Sequence, residues 1–269
     1  MGNDPVVTME FVAEGAAVVT MTNPALQNQG SWAAMVELAA ALRAAREGGS
    51  RVTVLASGLD DVWFGHAWLP DICAVFEGTE QSGEGRGWFD TLAECNRRDV
   101  VTIAAINGDT FGGGCEVGWA CDLRVAEPGV HFCQPEVALG VGTGLGGTSR
   151  LRHLIGRTVT AEMVLDGRMQ SADRIHQLGG INRMAAPGMA REDAVAWAVD
   201  LASHPPHALA AMKQMLTESD DLIHMVDGVN NDQRIFGEVS GHPEAIARMR
   251  QVQARYDAGE TMKAVFGER

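Results

Sequence analysis

The sequence predicts an α/β fold in which a layered core of strands and helices is followed by a helical C-terminal region. Of its 269 residues, 46% are apolar, which is enough to build a sizeable core. Up to about residue 133, short apolar runs alternate with helical patterns, and this order indicates parallel strands joined by crossover helices. After Gly147 all the patterns are helical.

The first elements are predicted to be a hairpin, a helix and a strand. Val6–Val12 and Ala16–Met21 read as strands on either side of the turn Glu14–Gly15. Ser31 is a favourable N-cap for an amphipathic helix that extends to about Arg46. Val52–Ala56 is rich in β-branched residues and is predicted as the next strand.

The segment Trp63–Gly87 is predicted to be irregular, and its Gly- and Glu-rich end, Glu77–Gly87, to be a mobile surface loop. Its many aromatic residues have two interpretations, ordinary packing or the wall of an acyl pocket. The remaining predicted strands are Val100–Ile106, Leu123–Ala126 and His131–Cys133. The remaining predicted helices are Trp88–Arg97, Gly113 or Gly114 to about Cys121, Thr148–Leu154, Thr160–Leu165, Ala172–Leu178, Arg191–Ser203, Pro206–Ser219, Asp220–Val239 and, as one or two helices, Pro243–Phe266.

Charge and composition argue against several classes of protein. A net charge of −14 argues against nucleic-acid binding and against binding to anionic membranes, because both need clustered Lys and Arg. There is no apolar run of the ~18 residues that a membrane span needs, and Met1–Pro5 does not begin a secretory signal. The five cysteines fit no zinc spacing, so we expect buried thiols, no metal site and a cytoplasmic protein.

Two glutamates in glycine-marked turns are the candidate catalytic residues. Glu116 closes the run Phe111–Glu116, which contains three consecutive glycines, and Glu136 precedes the glycine-rich stretch Gly140–Gly147. Two carboxylates can divide acid and base roles, while a glycine turn offers backbone N–H groups to an oxyanion. Close carboxylates titrate as a coupled pair, so we expect one of them to be protonated near neutral pH.

These motifs, in this order, resemble the crotonase superfamily, also called the enoyl-CoA hydratase/isomerase family. The resemblance covers most of the chain and is strongest from about residue 100 to 180. It implies a core of repeated ββα units, expected over residues 1–200, and a C-terminal helical trimerisation region, expected over 201–269. It also implies a homotrimer or a dimer of trimers. The matching motifs are Ala104–Gly108, Gly112–Glu116, Cys121–Asp122, Phe132, Gln134–Glu136, Leu139–Gly140, Gly144–Thr148, Gly156, Met163–Gly167 and Ser171–Ala172.

The resemblance implies an enoyl-CoA hydratase, which adds water to a trans-2-enoyl-CoA and gives a 3-hydroxyacyl-CoA. Coenzyme A is then part of the substrate, and no separate cofactor is expected. Glu116 and Glu136 match the two acid/base positions of the hydratases. The N–H of Gly113 matches one oxyanion donor, and Gly144 matches a position whose backbone helps to place the attacking water.

The second oxyanion donor is expected in the segment Trp63–Ile72. Counting without gaps from the strand puts Ala67 at the donor position, whereas a shift of one residue would put His66 there. The segment departs from the family pattern, with His66 for the usual glycine and Trp68 for the frequent aspartate. We expect His66, Trp68 and Leu69 to contact the substrate.

Asn28 is also expected to contact the substrate, because Asn23–Asn28 resembles, with a deletion, the loop that lines the CoA adenine site.

Two alternative functions stay open. One is another crotonase-type reaction, namely isomerisation, thioester hydrolysis or C–C bond hydrolysis, on a different acyl-CoA or a diketone. The other is a binding protein with little catalysis. Four basic residues either contact CoA phosphates or form a solvated helix face: Arg248, Arg250, Arg255 and Lys263.

Overall fold

The structure, a computed structural model, describes residues 6–79, 85–217 and 220–266. The strands are β1 (Val7–Ala13), β2 (Ala16–Met21), β3 (Val52–Ser57), β4 (Val101–Ile106), β5 (Thr110–Phe111), β6 (Leu123–Ala126), β7 (His131–Cys133), β8 (Gln170–Ser171) and β9 (Arg183–Met184). The helices are α1 (Trp32–Glu47), α2 (Leu69–Glu77), α3 (Arg86–Cys95), α4 (Gly113–Ala120), α5 (Glu136–Leu139), α6 (Leu151–Asp166), α7 (Ala172–Gln177), α8 (Ala190–Ala202), α9 (Pro206–Thr217), α10 (Asp220–Ser240), α11 (Pro243–Asp257) and α12 (Met262–Phe266).

A six-stranded sheet in the order β1-β2-β3-β4-β6-β9 forms the centre of the fold. β1 and β2 pair antiparallel, and the four other neighbouring pairs are parallel. A smaller sheet, β5-β7-β8, carries the two glycine-marked turns at its ends. The predicted hairpin and the predicted parallel core are therefore confirmed.

Successive residues of the central strands face two different apolar layers, because side chains alternate along a strand. On one face, Val19 and Leu55 pack with Leu38 of α1 in the larger hydrophobic cluster. On the other face, Val18 and Val54 pack with the alanine-rich side of α8. The sheet is thus covered on both faces, which explains why its central strands are apolar runs rather than alternating patterns.

The prediction of an irregular segment from Trp63 to Gly87 was wrong over its middle, where α2 forms. Pro70 lies in the first turn of α2, where its missing N–H is not needed, and Gly78 ends the helix in the left-handed conformation. Of the mobile loop predicted at 77–87, residues 80–84 lie outside the described residues, and Glu77 belongs to α2. Arg86 already belongs to α3.

The C-terminal helices pack against the first half of the chain. Met249 and Val252 of α11 and Phe266 of α12 form one apolar cluster with Leu69 and Ile72 of α2. The division at residue 200 and the trimerisation role stay predictions.

Within the described residues, no helix is long and apolar enough to cross a membrane, and no cluster of potential metal ligands is found. The five cysteines are buried and form no disulfide, as expected.

Candidate active site

A cavity of about 440 Å³ lies between α2, α3, the N-terminus of α4 and helices α10 and α11. Most of its wall is apolar, as is typical of a small-molecule binding site. Its aromatic side chains are Trp32, Phe76, Trp88, Phe89 and Phe236. The cavity brings together seven of the predicted site residues, namely His66, Ala67, Leu69, Gly113, Glu116, Glu136 and Gly144.

The aromatic residues of the 63–89 segment divide between the two interpretations. Trp63 and Phe64 are fully buried and stack on each other with ring centroids 4.1 Å apart, which is ordinary core packing. Phe76, Trp88 and Phe89 line the cavity. The packing interpretation therefore holds for Trp63 and Phe64, whereas the role of Phe76, Trp88 and Phe89 as the wall of an acyl pocket stays a prediction.

Asn28 and Trp68 are not among the residues that line the cavity. The buried Asn28 amide donates to Met21 O (3.3 Å), Ser57 Oγ (2.8 Å) and Trp63 O (3.0 Å). Its side-chain oxygen accepts from the backbone N–H of Asn23 at 2.6 Å. Asn28 thus ties a surface turn to the sheet, and its predicted contact with substrate stays a prediction. Trp68 is the half-buried residue that precedes α2.

The glycine turn before α4 is shaped by two close approaches. Gly112 has φ 49° and ψ −120°, a conformation that side chains disfavour, and a Cβ there would lie 3.0 Å from His66 Cβ and 3.2 Å from Glu136 Oε1. A Cβ on Gly114 would lie only 2.1 Å from Phe64 O. The turn can therefore press against both the 64–66 segment and Glu136 only because glycine occupies these positions.

The N-terminus of α4 offers a backbone donor to the cavity. Gly113 is the first residue of the helix and lines the cavity. Its N–H has no partner within the helix, because the first N–H groups of a helix lack an intrahelical acceptor. Among the described residues it donates to no other backbone or side-chain oxygen. The partial positive charge of the helix N-terminus adds to the attraction for an anion at this point.

A second backbone donor comes from Ala67. Gly30 pairs with Ala67 as an isolated parallel bridge, in which Gly30 N donates to His66 O (3.0 Å) and Trp68 N donates to Gly30 O (3.1 Å). In such a bridge the N–H and C=O of Ala67 face the edge away from Gly30. The Ala67 N–H finds no acceptor in the described part of the chain, and Ala67 lines the same cavity as Gly113.

Glu116 is a buried carboxyl group on α4 that is hydrogen-bonded to a glycine-rich turn. Its Oε1 accepts from the backbone N–H groups of Leu145 (2.7 Å) and Gly147 (2.6 Å). Burial raises its pKa from 4.5 to about 7, although the two N–H groups favour the charged form. Glu116 therefore titrates close to neutral pH.

Glu136 is the first residue of α5 and is also buried. Its pKa is raised well above the ordinary value, first by burial and then by the nearby Glu116. With its amide turned so that both ends find partners, Gln134 donates to Glu136 Oε1 (2.9 Å) and Oε2 (3.2 Å) and accepts from Trp119 Nε1 (3.2 Å). Gln134 was not predicted as a site residue, although it lies in the same motif.

Gly144 lines the cavity between the two glutamates and the C-terminal helices. Its carbonyl oxygen accepts a hydrogen bond from the side-chain amide of Gln233 on α10. A Cβ at this position would lie 2.8 Å from that amide nitrogen. The Gly144 backbone is therefore held from outside the glycine-rich turn, and its role in placing a water stays a prediction.

His66 lies at the cavity wall with both ring nitrogens engaged by the protein. Its Nδ1 is 2.7 Å from Ala67 O, and its Nε2 is 2.8 Å from the hydroxyl of Tyr256 on α11. Burial lowers the pKa of His66 to about 4, so the ring is neutral at physiological pH. No local pattern links Tyr256 to His66, since the two residues are 190 positions apart.

A model of the family described as "Enoyl-CoA hydratase/isomerase" matches residues 12–266. The chain belongs to this family. The predicted crotonase fold is confirmed, and the protein is an acyl-CoA enzyme of the crotonase superfamily.

Three relatives illustrate the range of similarity. A "probable enoyl-CoA hydratase" of Rhizobium meliloti is 27% identical over 219 residues, which cover 81% of this chain and 84% of the relative. A carnitinyl-CoA dehydratase of Salmonella heidelberg is 33% identical over 173 residues, 64% of this chain and 65% of the relative. The solved structure of a carnitinyl-CoA dehydratase from Mycobacterium avium superposes with a TM-score of 0.78 at 26% identity, over 90% of this chain and 94% of that chain.

Proposed function

We propose that the protein hydrates a trans-2-enoyl-CoA to a 3-hydroxyacyl-CoA. The observation that carries the proposal is the pair of buried carboxyl groups, Glu116 and Glu136, which line one cavity and both have raised pKa values. A group whose pKa lies near the working pH can both accept and release a proton efficiently. Because the chain belongs to the enoyl-CoA hydratase/isomerase family, a CoA thioester is the substrate class that we assign to the cavity.

The thioester carbonyl oxygen would accept hydrogen bonds from the N–H groups of Ala67 and Gly113. Negative charge grows on this oxygen when water attacks the β-carbon, so the two donors stabilise the transition state more than the substrate. Loss of one such donor typically costs roughly 2.7–4 kcal/mol of transition-state stabilisation. The free N–H groups of both residues on the same cavity support this assignment.

The two glutamates would have different roles. Glu116, whose carboxylate is stabilised by the N–H groups of Leu145 and Gly147, takes a proton from the attacking water. Glu136, whose pKa is raised by burial and by the nearby Glu116, supplies the proton that bonds to the α-carbon. One water is added in total: its oxygen and one hydrogen go to the β-carbon, and the proton left on Glu116 restores Glu136 through solvent in the cavity.

The test is an assay of the purified protein with short-, medium- and long-chain trans-2-enoyl-CoAs. We follow the loss of the conjugated enoyl absorbance and identify the hydrated product by mass spectrometry. Glu116→Gln and Glu136→Gln are each expected to lower kcat by about 10² or more, because each removes a proton-transfer group. Glu37→Gln on the exposed side of α1 is the matched control. Unchanged turnover in either active-site variant contradicts the mechanism.

A second candidate is another crotonase-type reaction on a different acyl-CoA. The loop that carries Ala67 motivates it, because His66 and Trp68 replace residues usual in the family. A panel of CoA esters analysed by mass spectrometry separates the two candidates, since isomerisation leaves the mass unchanged whereas thioester hydrolysis releases free CoA. The binding-only alternative is less well supported, because the aromatic side chains surround an open cavity of about 440 Å³ rather than fill it.

A further inference from the structure

We propose that His66 is a positioning residue for the oxyanion hole, and that Tyr256 of the C-terminal helix α11 holds its imidazole in place. The ring fixes the backbone of Ala67, so that a helix close to the C-terminus of the chain orients a donor in a loop 190 residues earlier. The inference rests on the proposed function in one respect, namely that a thioester oxygen binds at the Ala67 N–H.

The hydrogen bonds of His66 fix its tautomer. Ala67 O can only accept, so the proton of the neutral ring is on Nδ1, which donates to it at 2.7 Å. Nε2 is then an acceptor, and the hydroxyl of Tyr256 donates to it at 2.8 Å. Burial keeps the ring neutral by lowering its pKa to about 4. The pair therefore forms a directed chain from the Tyr256 O–H through the imidazole to the Ala67 carbonyl.

Three hydrogen bonds hold the two peptide groups that flank the Ala67 Cα. Gly30 N donates to His66 O, and Trp68 N donates to Gly30 O, which fixes the strand-like edge of this segment. The bond from His66 Nδ1 fixes the carbonyl of Ala67 on the opposite edge. The Ala67 N–H is on that same edge, and it is the group left available to a ligand. With both flanking peptides held, the direction of this N–H is set before substrate binds.

The same bond has an electrostatic consequence. In the Ala67–Gly30 bridge, the carbonyl and the N–H of Ala67 face the same side. An unpaired carbonyl oxygen there would direct negative partial charge toward the oxygen on which charge develops during the reaction. Donation from His66 Nδ1 offsets this partial charge, while donation from Gly30 to His66 O polarises the peptide group that contains the Ala67 N–H.

The packing around the ring explains why the arrangement holds. Tyr256 is the only tyrosine in the sequence, and it is almost fully buried. The ring of Phe266 on α12 meets the imidazole edge-on, with centroids 6.0 Å apart. His66 Cβ also packs against the Gly112 turn, which leads to the Gly113 donor. His66 thus lies between the C-terminal helices and both halves of the oxyanion hole.

The experiment compares His66→Leu, His66→Asn and Tyr256→Phe with the exposed control His153→Leu on α6. Asparagine is the conservative rescue, because its Nδ2 can replace imidazole Nδ1 as the donor to Ala67 O. For each protein we measure thermal unfolding, kcat and KM with an enoyl-CoA, and the infrared C=O stretch of a bound saturated acyl-CoA labelled at its carbonyl. That stretch reports directly on polarisation by the oxyanion hole, which a purely structural role of His66 would not alter.

His66→Leu is expected to lower kcat by about 10- to 100-fold, less than the 10²–10³ that loss of a donor costs, with little change in KM. The shift of the bound carbonyl stretch to lower frequency should shrink in parallel. His66→Asn should restore most of kcat and most of the carbonyl shift. Tyr256→Phe should give values of kcat and of the carbonyl shift between those of His66→Leu and the wild type. His153→Leu should match the wild type in every measurement.

The proposal is overturned if His66→Leu folds and leaves the carbonyl shift at its wild-type value. If His66→Leu does not fold, Tyr256→Phe decides: an unchanged kcat together with an unchanged carbonyl shift overturns the proposal. Failure of the proposed function has a different signature. A wild-type protein that shifts the carbonyl of the bound saturated ester but hydrates no enoyl-CoA is not a hydratase, and the carbonyl shifts of the variants still decide the role of His66.

Discussion

Replacing Glu116 by glutamine is expected to abolish most activity and, at alkaline pH, to stabilise the protein. The folded protein raises the pKa of Glu116 from 4.5 to about 7 because the carboxyl group is buried. Glutamine keeps an oxygen that can accept from Leu145 N and Gly147 N but has no charge to bury. The variant therefore separates the stability effect of the charge from that of the hydrogen bonds.

The sign and size follow from proton linkage. Below about pH 4.5 the carboxyl group is protonated in both states, so it contributes no pH dependence. As pH rises, the unfolded chain loses this proton first, so the folded state binds more protons and stability falls until the folded group also ionises near pH 7. The shift corresponds to about 3 kcal/mol at about pH 8 and to less than about 1 kcal/mol at about pH 5.

The assay is urea unfolding of wild type and Glu116→Gln at a series of pH values between about 5 and 9. The free-energy difference should grow with pH by about 2 kcal/mol and level off above about pH 7. Glu136→Gln should also stabilise the protein as pH rises, because burial and the nearby Glu116 raise the pKa of Glu136. The exposed Glu37→Gln is the control. A difference between Glu116→Gln and wild type that stays constant with pH refutes the reasoning.

Three further predictions concern neighbouring residues. Gly113→Ala is expected to lower kcat/KM by about 10²–10³ in steady-state assays. The added Cβ would lie 2.8 Å from the Trp88 indole, so the backbone N–H of residue 113 would be displaced. Wild-type kinetics would contradict this prediction. Gln134→Leu should lower the free energy of unfolding by about 1–3 kcal/mol, because Glu136 loses a buried donor. Denaturant titration measures the change in stability. Unaltered stability would argue against the hydrogen bond between Gln134 and Glu136. Asn28→Ala should destabilise by a similar amount yet leave KM within about twofold if its role is structural. A large rise in KM would instead support the predicted substrate contact.

The sequence was sufficient to predict the central strands and the location of the two glutamates. Strands such as β3 and β4 are short apolar runs bounded by turn residues, and parallel sheets covered on both faces produce that pattern. The positions of the glutamates could be predicted because each lies beside glycines that the local backbone conformation requires. Gly112, for example, adopts a backbone conformation that side chains disfavour.

Other parts of the site depend on contacts that no local pattern records. α2 was predicted as irregular because its aromatic flank and Pro70 obscure the helical period, and the helix is stabilised by packing on α11. The contributions of Gln233 and Tyr256 come from helices about 90 and 190 residues away in sequence from their partners. Sequence alone identifies such residues as one face of an amphipathic helix and gives no indication of what they contact.

The two glutamates are chemically identical, and the protein distinguishes them through their hydrogen-bond donors. Glu116 has two backbone N–H donors on one oxygen, and a glycine-rich turn fixes both of them. Glu136 accepts hydrogen bonds from the side-chain amide of Gln134 and from its own backbone N–H, and it faces the field of Glu116. Once Glu116 ionises, its negative charge raises the pKa of Glu136 further, so the more strongly bonded carboxylate keeps its neighbour protonated. The acid of the proposed reaction thus depends on the base: removing the charge of Glu116 removes the base and also weakens the proton retention on Glu136.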